Sequence, residues 1–192
     1  MNAAGRSATP WLRPVAILAA LGLVAVVGRP AVGQLAVMER TVGHERLDFL
    51  IGEWSHEEIQ TILGQERTVR SSGKYSWLPG GVWLRGEATV RGLPGIDVHH
   101  GWLQMTYDAA ADEYTELWYD NQSPMLFINR GGWTDEKTLV MHGSHEWGGK
   151  TIYSQNVYRV VSESEFSREY LVSDDGGGNY VRRSLARYRK RR

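Results

Sequence analysis

The sequence contains no cysteine. That excludes disulfides, thiolate metal sites, a cysteine nucleophile and a lipid-anchor cysteine. Net charge is also lacking: 22 basic residues stand against 22 acidic ones, so no overall field calls for a nucleic-acid partner. After residue 50 no helix-length interval separates the apolar runs, which excludes the crossovers of a parallel sheet. The Gly-x-Ser-x-Gly signature of a nucleophile elbow is absent. Asp174-Asp175-Gly176-Gly177-Gly178 lacks the ordered ligand spacing of a calcium loop and reads as a hairpin turn. Gly92-Leu93-Pro94-Gly95 precedes no helix, so it is a turn and not a phosphate cradle.

One long apolar run is present, over residues 15–27, preceded by Arg6 and Arg13 and followed by Ala31-Val32-Gly33. Basic start, apolar middle and small residues at a cleavage point are the layout of a secretory signal peptide. The alternative is an uncleaved membrane anchor, for which the run is short, since a span needs about 20 residues. The expectation is export to the periplasm or beyond, removal of residues 1–33, and a soluble domain over 34–192 with no stable membrane span. Loss of residues 1–33 removes three arginines and no acid, leaving 19 basic against 22 acidic residues, or −3. Seven of those basic residues lie in 182–192, so residues 34–181 carry 12 against 22, or −10. The domain is acidic with a basic C-terminal tail, which reads either as a solvated terminus or as a contact for anionic surfaces.

Leu35, Met38, Val42, Leu47, Leu50 and Ile51 have helical spacing, so a short helix is expected over 35–50, weakened by Gly43. Gly52 then lets the chain turn from helix to strand. From residue 53 the period becomes two. Strands are expected over 53–63, 68–78, 82–90, 96–107, 113–120, 125–130, 137–147, 151–161, 165–173 and 179–188, each followed by Gly, Pro, Asn, Asp or Ser. About ten short strands joined by hairpins signal an all-β sandwich or barrel. An up-and-down antiparallel barrel is the economical closure, because it removes exposed edges.

Leu47, Leu50, Ile51, Gly52 and Trp54 form Leu-x-x-Leu-Ile-Gly-x-Trp, ahead of the strand series. This resembles the lipocalin-like, or calycin-type, barrels. Pro79-Gly80-Gly81-Val82-Trp83-Leu84, Tyr107-Asp108, Tyr114, Trp118-Tyr119-Asp120-Asn121, Gly132-Trp133-Thr134-Asp135 and Arg187-Tyr188-Arg189 are similar to one branch, secreted bacterial lipocalin-like domains of unknown function. The resemblance covers residues 47–190. It implies that Gly52 and Trp54 close one barrel end and that an arginine of the last strand packs across Trp54. Arg187 or Arg189 is positioned for that role, and Arg187 is favoured. Haem-binding small barrels use a late-strand histidine, but the motif around His142 and His145 does not match theirs, so no cofactor is expected.

His56 and Glu58 share the Trp54 face of the first strand. A histidine beside a carboxylate inside a barrel suits a polar ligand or proton exchange; strand twist at the rim would leave the pair solvated instead. His145 and Trp147 share a face with Met141 and are further candidates for ligand contact. His142 and His145 are three apart, and His99 and His100 adjacent, so each pair falls on opposite strand faces. Neither makes a ligand set, and no metal is expected. The many Trp and Tyr residues serve barrel packing or line a pocket for an amphipathic ligand. The functional expectation is a small amphipathic or apolar molecule bound in the barrel mouth. Two alternatives stand beside it: an interaction module with a filled interior, and a small isomerase or hydrolase using His56 or His145.

Overall fold

The computed structural model describes residues 38–62, 64–93 and 95–192; the expected signal peptide lies outside them. A single helical turn, α1 (Val42–Glu45), and a 3-10 turn, Asp48–Leu50, lead into ten strands. They are β1 (Gly52–Ile62), β2 (Gln65–Trp77), β3 (Trp83–Arg91), β4 (Val98–Asp108), β5 (Glu113–Asp120), β6 (Phe127–Trp133), β7 (Thr138–Trp147), β8 (Lys150–Ser162), β9 (Glu165–Ser173) and β10 (Val181–Lys190). Each strand pairs antiparallel with its sequence neighbours, and β10 closes on β1, with Trp54 opposite Lys190 and Gln60 opposite Ser184. The expected barrel is therefore the observed one, with no free edge.

Of the expected helix over 35–50, residues 35–37 lie outside the described residues, and over 38–50 it is corrected to α1 and the 3-10 turn. Met38 and Val42 are solvent-exposed while Leu47 and Leu50 are fully buried, so the apparent apolar stripe is not one face. Thr41 stands at the N-cap of α1, where the His44 ring Nδ1 accepts its backbone N–H at 3.1 Å. The buried His44 ring stands edge-on to Tyr107, with centroids 5.7 Å apart. Gly43 is required here for close approach, because a Cβ would collide with the Tyr107 ring.

Trp54 plugs the end where the chain enters. It is fully buried, donates its indole N–H to the Leu50 carbonyl at 2.7 Å, and meets Phe166 edge-on at 4.8 Å. Phe166 stacks flat on Tyr188 at 4.2 Å. Leu84, Met105, Leu139 and Met141, all fully buried, complete this apolar end. The cation over Trp54 is Lys190, 5.5 Å from the ring, and not Arg187. Ser184, Ala186 and Tyr188 face inward, and strand alternation therefore turns Arg187 and Arg189 outward. Gly52 sits at φ +130°, with the Lys190 stem over its missing side chain. Most of the basic tail is β10: strand pairing runs to Lys190, and the Arg191 N–H still donates to the Glu53 carbonyl at 2.8 Å.

Candidate functional site

Along β1 the inward residues after Trp54 are His56, Glu58, Gln60 and Ile62, successive steps away from the plug. They line a cavity of about 340 Å³ that occupies the barrel beyond the apolar end. Its walls are partly apolar, from Ala88 and Val90 of β3, Trp118 of β5 and Phe127 of β6. Polar groups dominate its floor: His56, Glu58, Tyr75, Asn156, Arg168 and Tyr188. At the rim His99 Nε2 stands 3.5 Å from Asp120 Oδ2, which also accepts the Trp118 indole N–H at 3.3 Å.

Two charge clusters build the floor. In the first, Arg168 Nη2 donates to Glu58 Oε1 at 3.5 Å, with the guanidinium 5.8 Å from the Trp118 ring. Burial opposes the Arg168 charge, but Tyr188, Glu58, Tyr158 and Tyr75 around it outweigh that and hold its pKa well above the ordinary range. His56 packs on Tyr188 with ring centroids 4.2 Å apart. Burial lowers its pKa to about 4 although Glu58 pulls the other way, so the imidazole is neutral at pH 7. Behind the lining residues, the fully buried Glu116 accepts three hydrogen bonds. Asn129 and Asn156 donate to Oε1 at 2.7 and 2.5 Å, and Tyr158 to Oε2 at 2.6 Å. Burial, with Glu116 next to it, raises the Tyr158 pKa well above normal, which keeps that hydroxyl a donor.

Several buried polar atoms find no partner among the described residues: His56 Nδ1, Asn156 Oδ1, Arg168 Nε and Ser71 Oγ. Unpaired buried groups are costly, and three of these four residues line the cavity. The cavity thus offers donors and acceptors beneath an apolar wall.

The sequence-predicted candidates separate clearly. His56 and Glu58 stand together on the cavity floor. His145 packs edge-on against Phe127 at 4.8 Å without lining the cavity, and burial lowers its pKa. Trp147 is 65% exposed: it follows the inward alternation of β7, but β7 ends there, at the Gly148-Gly149 turn. Gly52 and Trp54 lie at the closed end and Arg187 on the outer surface. Sequence reasoning missed Arg168, Glu116, Asn129 and Asn156. A signal existed for the first two. Arg168 lies between Phe166 and Tyr170, and Glu116 between Tyr114 and Trp118, each a charge two residues from an aromatic on both sides and hence on an aromatic face.

Among the described residues no group of three or more His, Asp or Glu side chains is placed to hold a metal ion. No helix among them is long and apolar enough to cross a membrane.

A family model described as "Protein of unknown function (DUF1579)" matches residues 39–190. No curated protein matches the chain. Among the solved structures that match its fold are the following two. Rv2717c from M. tuberculosis superposes with a TM-score of 0.60 at 11% identity, over 80% of this chain and 100% of that one. The S-type phycobiliprotein lyase CPES from Guillardia theta gives 0.53 at 11% identity, over 80% of this chain and 94% of that one. At such identity the likeness is one of lipocalin-like fold.

Proposed function

We propose that this chain, which belongs to the DUF1579 family of proteins of unknown function, binds one small amphipathic molecule inside its barrel. The observation that carries this reading is the cavity of about 340 Å³, apolar on one wall and polar on its floor. A pocket of that size suits a single small ligand. Burying the ligand's apolar part against Val90, Trp118 and Phe127 would contribute about 25 cal/mol per Å² of apolar surface removed from water. Its polar end would meet His56, Glu58 and Arg168, which set orientation.

Two features weigh against the other readings. An interaction module would need a filled interior, and this one is hollow above Trp54. A hydrolase or isomerase using His56 would need a general base poised near neutrality, whereas burial holds that imidazole's pKa at about 4, and His145, the other candidate base, does not line the cavity.

The test is titration with N-phenylnaphthylamine, a neutral dye that brightens in apolar surroundings. One dye per barrel should bind to the natural protein. Ala88→Phe, which adds a ring at the cavity wall, should abolish the signal while thermal unfolding stays cooperative. Equal dye binding by a folded Ala88→Phe variant would remove the cavity from the account.

We also propose that the chain is exported. The apolar run over 15–27 and the small residues at 31–33 support export with cleavage before Gln34. N-terminal sequencing of protein from an exporting host should begin at Gln34; an intact Met1 would refute it.

A further inference from the structure

We propose that the molecule held in the cavity presents an uncharged amide-like head, with its carbonyl oxygen toward Arg168 and an N–H toward Asn156, and that the site discriminates against a free carboxylate. This rests on the ligand-binding reading and specifies its chemistry.

A guanidinium carries five N–H donors in a rigid fork. Among the described residues Arg168 makes a single long hydrogen bond, to Glu58, and its Nε has no partner. Donors of that kind, at a cavity floor, call for an acceptor from the ligand.

The charge on that acceptor is limited by what is already there. Glu58, 4% exposed, occupies the Arg168 flank and offsets its charge. Glu116 lies behind the floor with three donors of its own, none of them a formal cation. A ligand carboxylate would therefore enter a floor whose cation, the half-buried Arg168, already has its counter-charge, while Arg183, the other cation lining the cavity, is solvent-exposed. Like charges close together in a poorly solvated space are costly, while a carbonyl oxygen satisfies the same donors without that penalty.

Asn156 supplies the second half. Its amide nitrogen is tied to Glu116 at 2.5 Å, which fixes the side chain and leaves Oδ1 an unpartnered acceptor, with the residue 6% exposed. Asn156 of β8 pairs with Tyr170, and Tyr158 with Arg168, so Asn156 and Arg168 are inward-facing diagonal neighbours on adjacent strands. An acceptor and a donor side by side in the ligand match them, and an amide carries both. A carboxylate offers no hydrogen to Asn156 Oδ1, and an ester satisfies only the Arg168 side. His56 Nδ1, also unpartnered, accepts or donates according to its tautomer and suits either orientation.

The test compares octanamide, methyl octanoate and octanoate, equal in acyl length, by titration at pH 7 with NMR detection of Trp118 and the other indole N–H signals. Octanamide is expected to bind about tenfold more tightly than octanoate, with the ester between, because a buried group left unpaired costs on the order of that factor. Glu58→Gln should raise octanoate affinity and narrow the gap. Asn156→Ala, if folded, should bring amide and ester together. Octanoate binding as tightly as octanamide, or a gap unmoved by Glu58→Gln, overturns the inference while leaving ligand binding intact. Saturable binding by none of the three overturns both.

Discussion

The Glu116 carboxylate of β5 receives the Tyr158 hydroxyl of β8 at 2.6 Å inside the barrel, 42 residues apart in the chain. With Asn129 and Asn156 on its other oxygen, Glu116 links three strands beneath the cavity floor. Removal of its side chain would leave two amides and a hydroxyl buried without an acceptor. Glu116→Ala should therefore cost about 3–5 kcal/mol, in the range for breaking a buried charged network. Tyr158→Phe should cost about 1–2 kcal/mol, the scale of one hydrogen bond to a charged group. Urea unfolding checks both; a Glu116→Ala loss below 1 kcal/mol would show that the network is not structural.

Trp54 and Arg187 are distinguished by position. Trp54→Ala should destabilise by about 3–5 kcal/mol, the usual range for a buried aromatic. Arg187→Ala, on the outer face, should stay within about 0.5 kcal/mol of the natural protein. Thermal or urea unfolding reads both, and comparable losses at the two sites would contradict the end-plug assignment.

Gly52→Ala should destabilise by about 1–3 kcal/mol, because φ of +130° strains a residue with Cβ and the Lys190 stem must shift. A Gly52→Ala variant as stable as the natural protein would show that the strand entry relaxes freely.

His56 gives a pH dependence with a defined sign. Its folded pKa is about 4, against an ordinary value near 6.5 that the unfolded chain retains. Between those values the unfolded state binds more protons, so stability falls as pH drops from 6.5 to 4 and loses nothing more from this group below that. The loss is on the order of 3 kcal/mol. His56→Gln should flatten this segment of the stability–pH profile measured by urea unfolding; an unchanged slope in the variant would assign it to other groups.

The barrel was legible in the sequence because period-two alternation and glycine-rich turns are local signals. The expected bounds of β5 and β9 coincide with those observed, and Gly52 and Trp54 occupy the closed end. The N-terminal helix was misread because spacing alone cannot tell an exposed Met38 or Val42 from a buried Leu47. Arg187 was misplaced because its role came from a resemblance, whereas its direction depends on which face of β10 meets the interior. The cavity floor was legible only on β1. Arg168 and Glu116 reach it from strands far along the chain, and their partners depend on barrel register, which alternation does not specify.

Occupancy of the barrel interior by a molecule is open to direct measurement. Native mass spectrometry of the protein purified from an exporting host, with a denatured control, tests it most directly. An added mass that vanishes on denaturation is expected, or, for protein isolated empty, one equivalent of octanamide retained by the natural protein and lost in Ala88→Phe. A clean mass under both conditions, with no octanamide retained, would contradict it.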